Sequence, residues 1–191
     1  TAGLVGDRLF RDRAGDPDAP PADLAQELTL AQERALSGDV FLAFLFMTIL
    51  GGEHPHDVAQ DFEVPAVEMN AALVRLERLA LIDRLPGDRV RPRVDRAIAW
   101  RKTPMRALFE TQMKPQFLSM DFGAEDAVYA SELLRLSPVG AARLAELIEQ
   151  HRRDVQALAA ADRHESNAPR RWHGMLCAAR ALDTSSLQKP A

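Results

Sequence analysis

Between His54 and Val94 the spacing of apolar residues changes from helical to strand-like, and few folds accommodate that change in so short a stretch. Pro55 suits the first position of a helix, where its missing N–H costs nothing, and Asp57 in the first turn favours the positive end of the helix dipole. Val58, Ala59 and Phe62 give that helix a buried edge. After a short break at Glu63–Val64, Pro65 can open a second helix to about Ala80, with Met69, Leu73, Leu76 and Ala80 on one inward face. Leu81 to Leu85 and Arg89 to Val94 then alternate around Pro86-Gly87-Asp88 and read as a hairpin. Helix, tight turn, helix and hairpin make the outline of a winged helix-turn-helix.

The flanking sequence extends this outline in both directions. Leu4, Val5, Leu9 and Phe10 precede a Gly/Pro/Asp-rich linker, and Asp23 to Leu36 suggests one or two short helices with a Thr29/Gln32 capping box. Ser37 and Asp39 offer caps for an almost wholly apolar helix, Val40 to Leu50, stopped by Gly51-Gly52 and expected at the centre of the core. Thr103-Pro104 opens a helix that Pro115 kinks, with Phe109, Met113, Phe117 and Leu118 as its expected buried residues. Asp126 to Leu136 alternates as a strand, with Val128, Ala130, Leu134 and Leu136 on one face. Ser137-Pro138 then starts a long helix to about Arg163, with the stripe Leu144, Leu147, Ile148, His151, Val155 and Leu158. Trp172 to Leu182 reads as a last strand, and Thr184 to Ala191 as a frayed end.

The fold class expected is mostly α with small β content: a winged helix-turn-helix-like module followed by a strand, long helix, strand half. The division expected is an N-terminal arm, linker and short helices at 1–36, the winged module at 37–102, and an α+β dimerisation and sensing region at 103–191. Two strands cannot bury a long helix alone, so the second half must rest on the first or pair across a dimer.

A hydrophobic content of 47% in 191 residues supports real cores. The longest apolar run, Val40 to Leu50, is about half the roughly 20 residues a membrane crossing needs, so no membrane partner is expected. A single cysteine, Cys177, fits a reducing cytoplasm and reads as a buried small hydrophobe. The net charge of −4 argues against strong nucleic-acid binding, but its distribution is uneven. Residues 1–70 carry 4 basic and 13 acidic side chains, 71–102 carry 9 and 4, and 103–191 carry 11 and 11. The basic block therefore coincides with the end of the second helix and the hairpin, where local charge can meet phosphates.

The residues placed to touch DNA are Asn70 and Arg78 on the second helix and Arg89, Arg91, Arg93 and Arg96 from the wing onward. Alternation puts Arg89, Arg91 and Arg93 on one face. The alternative is an edge strand kept soluble by charge. The second helix is a poor reader, since its outward residues include Ala66, Val67, Glu68 and Ala71, and Glu68 repels phosphate. Packing of that face against another domain or subunit is an equal reading.

Trp100, Phe109, Phe117, Tyr129 and Trp172 are candidate lining for a small-molecule pocket, against the simpler reading that they are core. Glu53, His54, His56 and Asp57 could ligate a metal, but with no second cluster they read as capping and surface groups, and no metal or cofactor is expected. His151 reads as a core or interface histidine. No GxSxG, phosphate-cradling glycine loop, HExxH or CxxC pair is present, so the chain is not expected to be an enzyme.

From Leu28 onward the sequence resembles bacterial XRE-family, Cro-like helix-turn-helix transcriptional regulators with a longer C-terminal region. LTLAQERAL (28–36), the apolar helix 40–50, LVRLERLALIDRLPGDRVRP (73–92), Trp100 and LLRLSPVGAARLAELIEQHRRDV (133–155) carry the resemblance, which spans about 28–182. A serine often stands in that family where this chain has Pro65. The resemblance implies the C-terminal part of a regulator, with Thr1 to Phe10 as the remnant of a Cro-type domain that mainly contacts DNA. It also implies regulation, dimerisation and response to a signal that it does not name; the partners expected are a second copy of the chain and a small-molecule effector. Direct DNA binding by the winged module is one alternative, and a small-molecule receptor or enzyme is another.

Overall fold

A computed structural model describes residues 24–96, 98, 103–125, 127–165 and 168–183. The expected arm and linker, Trp100 and the C-terminal end from 184 lie outside the described residues. Among the described residues the protein is mostly helical with one two-stranded antiparallel sheet. The chain divides into two compact units at Arg106/Ala107.

The first unit is built around an apolar helix whose ends are fixed by sequence. Helix α1 (Leu30–Ser37) is closed by the capping box: the Gln32 amide donates to Thr29 Oγ1, and the Gln32 side chain accepts from the Thr29 amide. Helix α2 (Val40–Gly51) starts at Asp39, whose Oδ1 accepts from the Leu42 amide, and stops at Gly52, which is left-handed at φ 89°. α2 packs on α1 and on the two helices and second strand described next, and Leu42, Leu45, Phe46 and Ile49 are among its buried residues.

Helix α3 (Pro55–Asp61) carries Pro55 at its first turn, with the His54 ring accepting from the His56 amide. Val58 is buried, whereas Phe62 is exposed and meets Phe44 edge-on at 5.0 Å. Helix α4 (Ala66–Arg78) follows Pro65 and buries Met69, Ala72, Leu73 and Leu76. The expected fourth inward residue, Ala80, is outside the helix, exposed and left-handed at φ 54°. There its amide caps Glu77, while the Leu81 amide returns to the Leu76 carbonyl.

Glu63, in the turn between α3 and α4, is left-handed at φ 51°. A β-branched side chain tolerates that region poorly. Glu63→Ile is expected to lower stability by about 1–2 kcal/mol. Glu63→Gly exchanges that strain for chain entropy of about 0.5–1 kcal/mol and should lie near the parent protein in thermal unfolding.

Strands β1 (Ile82–Leu85) and β2 (Arg89–Pro92) pair with Ile82 opposite Pro92 and Asp83 opposite Arg91. Their turn places Gly87 and Asp88 at positive φ. Of the one or two short helices expected over 23–36 the structure forms one, α1, and residues 24–29 are not helical. Ala25 instead bridges Val94, donating to the Arg93 carbonyl and accepting from the Asp95 amide, and these distant bonds take the backbone from any local helix.

The second unit begins within a helical run. Helix α5 (Thr103–Leu108) widens into a π-helical turn at Phe109–Met113 before α6 (Lys114–Leu118). Pro115 has no N–H to give the Thr111 carbonyl, and the Lys114 amide reaches back five residues to Phe109, so the expected kink takes the form of a widened turn. Helix α7 (Pro138–Glu165) follows Ser137, whose hydroxyl accepts from the Gly140 amide.

The flanking segments differ from the expected strands. Neither 127–137 nor 172–182 forms a strand, because neither has a pairing partner among the described residues. No described residue of 107–183 is buried. Phe109 and Leu118 are exposed, Met113 and Phe117 half-buried, and Cys177 is exposed rather than core. His151 is exposed as well. Among the described residues no single helix is long and apolar enough to cross a membrane.

Candidate nucleic-acid and assembly surfaces

The hairpin register decides what the hairpin arginines can do. Arg89 and Arg91 share one face with Asp83, the residue opposite Arg91. Arg91 Nη2 lies 3.0 Å from Asp83 Oδ2, and Arg93 Nη1 lies 3.7 Å from Asp83 Oδ1. Two of the three arginines expected to grip phosphate therefore share an internal carboxylate. Asp83 was absent from the sequence candidates, yet pairing Leu85 with Arg89 across the turn puts it opposite Arg91.

The other candidates are also engaged, with one exception. Asn70 on α4 accepts through Oδ1 from Arg84 Nη2 at 3.0 Å. Arg96 is half-buried and donates to the Gly51 carbonyl at 2.6 Å, at the negative end of α2. Arg89 Nε reaches the Pro86 carbonyl at 3.3 Å. Arg78 is exposed and makes no hydrogen bond or ion pair among the described residues. Arg75, also on α4, is held by Asp39 at 2.6 Å, which ties α4 to the start of α2.

The outer side of the first half of α4 is apolar and acidic, and the last turns carry the exposed Arg75 and Arg78. Val67 is 83% exposed, with Ala66, Glu68 and Ala71 exposed around it. Such a face offers van der Waals area and few donors, which suits another protein surface better than a phosphate backbone.

The described pocket candidates do not converge on one cavity in the second unit. Phe117 is half-buried beside Gly174, where a Cβ would come 2.9 Å from its Cζ. Tyr129 packs on Phe122 at 4.6 Å and remains exposed, as do Phe109 and Trp172. A groove of about 280 Å³ is lined instead by Asp162, Ala168, Pro169, Arg170, Arg171 and His173. His54 and His56 lie 6.5 Å apart, and no group of three metal-ligating side chains occurs among the described residues.

On α7 the Glu149 carboxylate takes two bonds from Arg152, at 2.9 and 2.7 Å. The Arg152 hydrogen bond, helped by the charges of Arg152 and Arg153, holds that carboxyl below its ordinary value. A lowered folded-state value means the contribution is present above the unfolded carboxylate range and lost as pH falls through the folded one. Circular dichroism should show α7 losing helix on acidification, with a smaller acid-dependent loss in Glu149→Gln.

Comparison of the chain with protein-family models, with curated proteins and with solved structures finds no match in any of the three.

Proposed function

We propose that this chain is part of a transcription regulator of the XRE type, in which α3, α4 and the β1–β2 hairpin form a winged helix-turn-helix-like scaffold. In this reading the module serves assembly, the chain works as a homodimer, and bases are read chiefly by a Cro-type domain elsewhere in the regulator. The carrying observation is the pairing within the module. Asp83 holds Arg91 and Arg93, Arg84 holds Asn70, and the outer face of α4 presents Val67. Contact with DNA through these residues would compete with those pairs, which are partly exposed.

A small-molecule effector acting through the second unit completes the proposal. Its chemistry is left to the aromatic residues Phe109, Phe117, Tyr129 and Trp172. The module as direct DNA reader is favoured by one observation, the exposed Arg78 on the same helix as Asn70.

Fluorescence anisotropy of a labelled duplex titrated with the whole chain separates the two. The scaffold reading expects weak binding with a shallow salt dependence. A steep slope, equivalent to roughly six or more phosphate contacts and reduced in Arg78→Ala, transfers the reading to the direct DNA reader.

A further inference from the structure

The second unit has helices without a core. None of its described residues is buried, although Val128 is 95% exposed, Leu133 84%, Leu147 66% and Leu158 68%. Helices gain most of their stability from packing an apolar face, and α7, with 28 residues, has no buried residue. Counting about 100 Å² for each large apolar side chain left half exposed, the unit presents on the order of 1,500 Å². That exceeds the roughly 800 Å² per partner of a standard interface and falls in the range of obligate homodimers.

The α7 sequence specifies what covers it. Ala141, Ile148 and Val155 fall at one seam position of a heptad, and Leu144, His151 and Leu158 at the other. β-Branched residues at the first position with leucine at the second favour two parallel helices. No charged residue falls on the seam between Ala141 and Leu158. Arg152 lies on one flank and Asp154 on the other. In a parallel pair each Arg152 faces Leu147 of the second copy and each Asp154 faces its Ala159, so no like charges meet across the seam.

The segments on either side of α7 carry a second, independent requirement. Residues 128–136 and 174–182 make no backbone–backbone hydrogen bond among the described residues. Val128, Ala130, Leu134 and Leu136 alternate as a strand would, yet all four are exposed. Each segment has nine residues, about 30 Å as a strand, which is comparable to the α7 seam from Ala141 to Leu158 at about 26 Å. An unpaired, alternating segment of this kind is a template for pairing with another chain.

We infer that residues 107–183 are one half of a two-chain domain: α7 packs in parallel on α7 of a second copy through Ala141, Leu144, Ile148, His151, Val155 and Leu158, and segments 128–136 and 174–182 become strands by pairing across the two chains. This rests on the homodimer of the proposed regulator, and it fixes the orientation of that dimer and the part of the fold that exists only within it.

The test uses the whole chain with Cys177→Ser, carrying either Leu144→Cys or Leu158→Cys. Under mild oxidation the parallel seam sets each new cysteine opposite itself, so both variants give covalent dimers. Failure of both, or a monomer at high concentration, overturns the seam. Ile148→Asp with Leu158→Asp should weaken association on the order of a hundredfold or more and reduce the strand signal in the far ultraviolet to that of the β1–β2 hairpin, while Arg153→Asp off the seam leaves both unchanged. Thermal unfolding of the first unit reports whether the variants still fold. A strand signal in the monomeric variant as large as in the dimer, beyond what the β1–β2 hairpin supplies, overturns pairing across the chains. No DNA enters these measurements, so their failure is separate from failure of the regulator reading.

Discussion

Phe46→Ala is expected to destabilise the first unit by about 3–5 kcal/mol, the range for emptying a fully buried aromatic position. Phe46 lies at the centre of α2, is completely buried, and belongs to the helix against which α1, α3, α4 and β2 all pack. A cavity there has no single neighbour able to collapse into it. In a unit of this size, thermal unfolding should shift down by roughly 10 °C or more. Met47→Ala, one residue along on the exposed side of the same helix, should cost about 0.5 kcal/mol or less. Equal effects at 46 and 47 would contradict the placement of α2 as the core helix.

Glu33→Met is expected to stabilise the protein, by about 1–3 kcal/mol. Glu33 is 2% exposed on α1, and its Oε2 has no hydrogen-bond partner among the described residues. Burial of a carboxylate oxygen without a partner costs free energy that an unbranched apolar side chain of similar length does not. Methionine also keeps the helix propensity of the position and can adjust to its walls. Chemical unfolding followed by tryptophan-independent circular dichroism measures the change. A loss of stability in Glu33→Met would mean that this carboxylate is held by the fold rather than tolerated by it.

How much of this was legible in the sequence depends on the distance over which each feature is determined. Thr29 with Gln32, Asp39, Gly52 and Pro55 set the helix ends locally, and each cap acts where its spacing placed it. The apolar period of α4 carried to Leu76 and then failed at Ala80, because the exit from the helix uses a left-handed residue that periodicity does not encode. The Ala25–Val94 bridge joins residues far apart in the chain, and no local pattern announces it. The burial of Glu33 is of the same kind, since a charged residue on a short helix reads as solvated.

Among the site residues, the arginines at 89, 91 and 93 were expected on one face of a strand, while the pairing of Arg91 and Arg93 with Asp83 depends on the register. Asn70 was legible as a base reader by type and position, and its capture by Arg84 requires the packing of α4 on β1. In the second unit the alternation of Val128 to Leu136 suggested a strand, and among the described residues no strand pairs with it.

The central claim, that this chain acts as an assembled module, is tested most directly by sedimentation velocity of the whole chain across a range of concentrations. The account predicts a species of twice 21.1 kDa that persists on dilution. A single species of 21.1 kDa at high concentration would contradict it.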